Sequence, residues 1–121
     1  PPLPKSAGLI LSVAPHADPR NPLVIRGAFN VPYAQAEALG RPVHRALVLL
    51  VQIGEYYNVF TPFREFVLFP DDELGAPSNG IGGYFNIDVF SLLGAPIPGD
   101  YHLVMSLGEY VSAAVETSVT P

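Results

Sequence analysis

Fourteen prolines and eleven glycines are spread along the whole 121-residue chain and divide it into short apolar segments. Proline breaks helices and cannot donate a backbone hydrogen bond to a central strand, so these residues mark the ends of elements. Between them lie runs rich in Val, Ile, Leu, Phe and Tyr. Short strands separated by turn residues are typical of sandwiches and barrels. We therefore predict an all-β fold, an antiparallel sandwich of about seven or eight strands.

The turn residues and the alternation of apolar side chains set the predicted element boundaries. Strands are predicted over residues 9–13, 23–31, 45–53, 56–60, 64–69, 83–90, 101–107 and 110–119. Residues 33–39 are good helix formers ahead of Gly40, so we expect one or two helical turns there, with an irregular loop as the alternative. The prolines of residues 1–7 predict an extended lead-in, and both ends of the chain resemble linker edges. One sandwich domain is then expected over residues 8–120.

Alternation also predicts which side chains face the core. In the second strand Ile25, Phe29 and Val31 are expected inward, with Arg26 and Asn30 outward. Inward positions in the later strands are Phe85, Ile87, Val89, Tyr101, Leu103, Met105 and Leu107. The third strand differs, because residues 47–51 contain no polar residue. A strand that is apolar on both faces is expected to be covered on both, by the core and by a loop, the helical segment or another subunit.

The charge composition restricts the classes of partner. Charged residues make up 14% of the chain and apolar residues 49%, whereas a charged share of about 25% is typical. The net charge is −5, Lys5 is the only lysine, and the arginines are dispersed. Nucleic acids and anionic membranes are therefore disfavoured as partners. The shortage of charge is instead a first indication of a protein partner. The arginines are Arg20, Arg26, Arg41, Arg45 and Arg64.

Several kinds of site and a transmembrane helix are excluded by what the sequence lacks. The chain has no cysteine, which excludes disulfides, thiolate catalysis and Cys-ligated zinc. No run of about 18 apolar residues is present, so no transmembrane helix is predicted.

The segment Pro98-Gly99-Asp100-Tyr101-His102-Leu103-Val104 is the most specific local motif. A turn followed by Gly-Asp-Tyr at the start of a late strand resembles the tyrosine corner of immunoglobulin-like and fibronectin-like sandwiches. The resemblance implies that the Tyr101 ring packs at the edge of the core and that its hydroxyl bonds to backbone upstream. Many secreted and cell-surface proteins carry such modules, so the resemblance slightly favours that localisation without fixing it. The chain has neither a Cys pair nor Trp, so it is not an antibody-type domain.

No residues show the spacing of a catalytic site. His16, His44 and His102 lack the spacing of metal ligands, and nothing marks Glu55 and Glu65 as a hydrolytic pair. The serines lie outside any Gly-x-Ser-x-Gly elbow. The candidate serines are Ser12, Ser91, Ser106, Ser112 and Ser118. We predict that the protein is not an enzyme and has no catalytic residue and no cofactor.

Two further segments invite a binding site. Residues 80–83 are glycine-rich but precede a strand rather than a helix, which predicts a hairpin connection and not a phosphate loop. Asp71, Asp72 and Glu73 are candidate calcium ligands. The EF-hand spacing is absent, however, and a contiguous acidic triplet is normally a solvated turn that also discourages edge aggregation.

The aromatic segment over residues 56–63 is the main candidate for recognition. Alternation points only half of its aromatic side chains inward, and the others are expected to form an exposed patch unless a second layer covers them. The candidate interface residues are Val48, Leu50, Tyr56, Tyr57, Phe60 and Phe63. These features predict a structural or protein-interaction module that forms a homo-oligomer or packs beside neighbouring domains. Two alternatives stay open: a module that binds a small ligand, glycan or calcium, and a hydrolase accessory domain or enzyme.

Overall fold

The computed structural model describes residues 8–13, 16–17, 23–40, 43–61, 66–69 and 80–121, with side chains for all of these except 16, 17, 44 and 66–69. The helices are α1 (Tyr33–Leu39) and α2 (Val89–Leu93), and a 3-10 turn spans Val43–Ala46. No helix in these ranges is long and apolar enough to cross a membrane. The strands are β1 (Gly8–Val13), β2 (His16–Ala17), β3 (Val24–Pro32), β4 (Leu47–Ile53), β5 (Tyr56–Phe60), β6 (Phe66–Phe69), β7 (Gly80–Asp88), β8 (Gly99–Leu107), β9 (Tyr110–Val111) and β10 (Val115–Val119).

The strands form two sheets. The first sheet has the order β1-β3-β7-β6, and the second has the order β2-β10-β8-β4-β5, with β9 also paired to β8. Neighbouring strands are antiparallel except β2 and β10, which run parallel. The fold is therefore an all-β sandwich of two mainly antiparallel sheets, and the predicted fold class is confirmed. The helix predicted over residues 33–39 is also present as α1.

The core lies between the two sheets and is built from alternate residues of their long strands. In β7 and β8 the buried positions are those that the alternation predicts, and β4 contributes the same pattern. Complete burial of one such aliphatic or aromatic side chain contributes about 1.5–3 kcal/mol. The largest fully buried side chains include Ile25, Leu47, Leu49, Phe85, Ile87, Tyr101, Leu103, Met105 and Leu107.

The predicted tyrosine-corner hydrogen bond is present at the start of β8. Tyr101 is 2% exposed, and its hydroxyl donates to the backbone carbonyl of Ile97 at 2.5 Å. The acceptor lies four residues upstream, in the turn before β8. This bond satisfies the one polar atom of an otherwise buried ring, and desolvation by burial raises the pKa of the Tyr101 phenol above its ordinary value of 10.0.

The glycine-rich residues 80–83 form the beginning of β7, so the predicted hairpin connection is wrong. They pair with β3, with Gly80 opposite Pro32 and Gly82 opposite Asn30. The backbones approach closely there: a Cβ on Gly80 would lie 2.7 Å from the carbonyl oxygen of Val31 and from Oδ1 of Asn30. Only glycine permits so close an approach of the two backbones. From the sequence alone, glycines that close strand packing requires cannot be distinguished from those of a flexible loop.

Three other sequence predictions were wrong in detail. Asn30 is 3% exposed rather than solvated, because both faces of β3 are buried from Gly27 to Val31. The third strand begins at Leu47, since Val43–Ala46 forms the 3-10 turn. The strand predicted over residues 110–119 is in fact two strands, β9 and β10, separated by residues 112–114. Within this break the Ser112 backbone N–H donates to the Met105 carbonyl, and Ser112 Oγ accepts from the Met105 N–H.

The strand predicted over residues 83–90 ends at Asp88, where α2 begins. The Asp88 carboxylate accepts a hydrogen bond from the backbone N–H of Ser91 at 3.2 Å, which caps the helix. Gly94, with φ of 82°, ends it. Val89 is buried as expected, but it belongs to α2 and not to a strand. A buried apolar side chain is compatible with either element, so the sequence pattern did not distinguish them.

Candidate interaction surface

The outer face of the second sheet carries the residues that alternate with the core positions. On β4 these are Val48, Leu50 and Gln52, and on β8 they include His102 and Val104. The register places Leu50 opposite Val104, and Gln52 opposite His102. Because directly opposed residues of antiparallel strands project to the same face, these side chains form cross-strand rows.

One half of this face is apolar. Val59 of β5, Leu50 and Val104 form one continuous row across three strands. The next row contains Val48, Ser106 and Val111. We define the outer patch as Val48, Leu50, Tyr57, Val59, Val104 and Val111.

The outer patch is well exposed at its rim. Val59 is 60% exposed, Val111 64% and Tyr57 70%, while Val48, Leu50 and Val104 are half-buried. Scattered apolar residues are normal on protein surfaces, but a contiguous group without a charged member is typical of a recognition surface.

The other half of the outer face is polar. His102 Nδ1 lies 3.2 Å from Oε1 of Glu116, its cross-strand partner. Ser118 Oγ donates to Oδ1 of Asp100 at 3.0 Å. Such exposed pairs contribute little stability. Within the part of the chain that the structure describes, no three His, Cys, Asp or Glu residues are placed to hold a metal ion.

Strand β5 lies at one end of the second sheet and is exposed on both faces. Tyr56 is 82% exposed, Asn58 is exposed, and only Phe60 is half-buried, packed against the core. Gly54 and Glu55 connect β5 to β4, and Gly54 has φ of 60°. Among the described strands only β4 pairs with β5.

The predicted interface residues divide between the two faces of β5. Val48, Leu50 and Tyr57 lie on the outer face of the sheet, whereas Tyr56 and Phe60 lie on the opposite face of β5. Phe63, Asp71, Asp72, Glu73, Glu65 and the lead-in over residues 1–7 lie outside the described residues.

Sequence reasoning missed three members of the outer patch, namely Val59, Val104 and Val111. The alternation of β8 places Val104 outward, but nothing in the sequence identifies Leu50 as its neighbour. Strand order and register bring these residues together, and both depend on pairing between segments that are distant in sequence.

A cleft lies between α1 and the β8–β9 turn. Its volume is about 190 Å³, below the 300–1,000 Å³ that is usual for small-molecule sites. Across it, the Tyr110 hydroxyl donates to Oε1 of Gln35, and Nε2 of Gln35 donates to Oε1 of Glu109 at 2.6 Å. These bonds join α1 to the turn, so we interpret the cleft as a structural junction.

The hydroxyls of three of the five candidate serines take part in local hydrogen bonds. Ser12 Oγ donates to the Arg26 carbonyl at 3.5 Å, and Ser118 Oγ donates to Asp100. Ser112 Oγ accepts from the Met105 N–H at 3.0 Å. Each of these contacts joins neighbouring segments of a sheet.

Comparison with known proteins gives no family. No protein-family model matches the chain, and no curated protein matches it. Among solved structures it is similar to the CARDB domain of a Pyrococcus furiosus protein, which was crystallised in complex with di-metal ions. The sequences are 9% identical, the TM-score is 0.41, and the match covers 95% of this chain and 88% of that chain. This similarity identifies neither a family nor a function.

Proposed function

We propose that this chain is a non-enzymatic interaction module that self-associates through the outer patch. The observation that carries the proposal is the row Val59–Leu50–Val104, an aliphatic surface on a sheet face with exposed Tyr57 at its border. Removing such a surface from water contributes roughly 25 cal/mol for each Å² of apolar area, from which the entropic cost of association is subtracted.

The arrangement of the outer face also favours an interface. The centres of protein interfaces are depleted of charge and enriched in aromatic residues, and they are surrounded by a polar rim. The outer patch contains no charged residue, and Gln52, His102 and Glu116 border it on one side. Charged residues make up only 14% of the chain, below the share of about 25–35% that is typical of the surface of a soluble monomer. This shortage agrees with a surface that is partly covered by a partner.

Size-exclusion chromatography with light scattering, run over a range of protein concentrations, tests this function. We expect the mean mass to rise with concentration. Leu50→Lys introduces a charge at the centre of the outer patch and should lower the mean mass at each concentration. Gln52→Lys is the matched control, because it adds the same charge two residues along β4 in the polar half.

Both variants are compared by circular dichroism to establish that they fold. A wild-type protein that stays monomeric up to its solubility limit would refute self-association. Equal loss of association in both variants would refute the role of the outer patch and indicate a general effect of charge.

Glycan binding is the second candidate, and one row of side chains favours it. Tyr57, Gln52, His102 and Glu116 are successive cross-strand neighbours on β5, β4, β8 and β10. An exposed aromatic ring beside hydrogen-bonding side chains is a suitable platform for a sugar. A glycan that binds only the native state raises the melting temperature, and Tyr57→Ala should abolish that rise. No shift with any glycan of a broad panel would refute this candidate.

A further inference from the structure

We infer that β5 pairs edge to edge with β5 of a second copy, antiparallel and with the twofold axis at Asn58, so that two second sheets join into one. This inference rests on the proposed self-association and adds to it a second contact, along the sheet edge beside the outer patch. The reasons lie in the backbone of β5, in its side-chain sequence and in its lack of charge.

The turn between β4 and β5 determines which backbone groups of β5 point away from β4. Gly54 and Glu55 form a two-residue connection with glycine, at positive φ, in the first central position, as in a type II′ hairpin. Ile53 and Tyr56 are cross-strand partners on either side of this turn. In a two-residue hairpin the residues that flank the turn form a hydrogen-bonded pair. Since hydrogen-bonded and non-bonded pairs alternate along antiparallel strands, Tyr57 and Val59 direct their backbone N–H and C=O groups away from β4.

Two copies can use these outward groups best in one register. With the twofold axis at Asn58, Tyr57 lies opposite Val59 of the second copy, and each such pair exchanges two hydrogen bonds. The symmetric pair repeats this, giving about four hydrogen bonds between the copies. An axis at Tyr57 would instead place Val59 opposite Glu55, which lies in the turn. The Asn58 register alone pairs every outward-facing residue of β5 with another.

The side chains of β5 are self-complementary in this register. Tyr57 meets Val59 of the second copy on the outer face, an aromatic and β-branched pair that is favourable across antiparallel strands. On the opposite face Tyr56 meets Phe60, and Asn58 meets Asn58. The twofold axis is perpendicular to the sheet, so both outer patches lie on the same side of the joined sheet. Edge pairing therefore extends the apolar surface already proposed for association.

The absence of charged residues and of proline in β5 permits this contact. Natural proteins protect exposed edges with charged residues, prolines, bulges or very short strands. Strand β5 has five residues, none of them charged and none a proline, and it pairs continuously with β4. Although each copy has a net charge of −5, no acidic residue opposes another within the paired strands. At the other end of the same sheet β2 has only two residues and offers a poorer edge.

The size of the contact limits its strength. Stable interfaces bury about 800 Å² on each partner, and a five-residue edge falls short of that area. We therefore expect a weak dimer whose population depends on concentration. Because both outer patches lie on one side of the joined sheet, their burial requires contact with a further copy.

A charge-swap experiment at Asn58 tests the twofold axis. Asn58→Lys and Asn58→Asp each place two like charges directly opposite one another, so each variant alone should dimerise at least about tenfold more weakly than the wild type. A one-to-one mixture should dimerise again, because the opposed charges then attract. Ala113→Lys and Ala113→Asp carry the same changes of charge at an exposed position between β9 and β10, and they should dimerise as the wild type does.

Crosslinking gives an independent measurement, because the chain has no cysteine. Asn58 faces its own copy as a non-hydrogen-bonded pair with a Cα separation of about 4.5 Å, within the range of disulfides. Oxidised Asn58→Cys should therefore form a covalent dimer, and Ala113→Cys should form no crosslink.

The outcomes separate this inference from the proposed function. If the wild type associates but the Asn58 charge variants associate equally well and Asn58→Cys does not crosslink, edge pairing is refuted and self-association stands. If the wild type never associates, the proposed function fails, and the edge pairing with it.

Discussion

The ring of Phe85 occupies the space that a side chain at Gly27 would fill. The two residues are cross-strand partners on β7 and β3. A Cβ built on Gly27 would lie 2.6 Å from Cε2 of Phe85 and 2.6 Å from the carbonyl oxygen of Ile10. Three adjacent strands of the first sheet therefore meet at a point where only a hydrogen atom fits. The Phe85 ring, which is 1% exposed, can be buried there because position 27 has no side chain.

Gly27→Ala should destabilise the protein by roughly 2–3 kcal/mol. This lies in the upper part of the range of about 1–3 kcal/mol that is typical of substitutions that overpack a core. The Phe85 ring is part of a packed core and the Ile10 oxygen belongs to the backbone, so neither neighbour can move away at low cost. Chemical denaturation measured by circular dichroism gives the free energy of unfolding.

A double-mutant cycle with Phe85→Leu identifies the source of this cost. If the clash with the ring dominates, the double variant should be more stable than the sum of the single changes by at least about 1 kcal/mol. Additive effects would mean that the Ile10 backbone, and not the ring, excludes a side chain at position 27.

Tyr101→Phe should reduce the free energy of unfolding by about 1 kcal/mol. The substitution keeps the buried ring and removes one hydrogen bond, the one to the Ile97 carbonyl. Tyr56→Phe is the matched control, since Tyr56 is 82% exposed and its loss of a hydroxyl should change stability by less than about 0.5 kcal/mol. Equal effects of the two substitutions would show that the corner hydrogen bond does not stabilise the fold.

Stability should also fall at alkaline pH through Tyr101. Burial raises the pKa of its phenol in the folded state above 10.0, so the folded protein binds that proton more tightly than the unfolded chain does. The resulting stabilisation is fully present below the unfolded pKa and is lost as the pH rises through the folded pKa. Urea denaturation from about pH 8 to pH 11 should therefore show a steeper loss of stability in the wild type than in Tyr101→Phe. Parallel pH profiles would contradict this assignment.

Local periodicity predicted much of the fold because it depends on neighbouring residues. Strand β5 has the predicted bounds, and the inward positions of β8 follow from the alternation of Tyr101, Leu103, Met105 and Leu107. Predictions were wrong where a local pattern permits two structures. The glycine-rich pattern of residues 80–83 is typical of a turn, although these residues pair with β3 in the fold. Val89 is compatible with a strand as well as with the capped helix α2.

The candidate surface was harder to predict than the fold. The sequence predicts Val48, Leu50 and Tyr57 as interface candidates, because the third strand is apolar on both faces and residues 56–63 are rich in aromatic side chains. Their relation to Val59 and Val104 depends on β4 lying between β5 and β8 in one particular register. A shift of one residue would exchange the two faces of β4, and no residue of a single strand determines that register.

Gln35→Ala should release α1 from the sandwich. Gln35 accepts a hydrogen bond from the Tyr110 hydroxyl and donates one to Glu109, so its removal leaves the half-buried Tyr110 hydroxyl without this partner. We expect a loss of roughly 1–2 kcal/mol, together with faster hydrogen exchange of the α1 amides.

The matched control for this substitution is Gln52→Ala. Gln52 is exposed, and its side chain donates to the carbonyl of Gly54 at 3.2 Å, within its own hairpin. Its removal should cost less than about 0.5 kcal/mol and leave exchange in α1 unchanged. Because α1 has only seven residues, isolated helix propensity cannot hold it, and tertiary contacts must. Unchanged exchange in Gln35→Ala would therefore mean that burial of Ala36 and Leu39, rather than the hydrogen bonds of Gln35, anchors the helix.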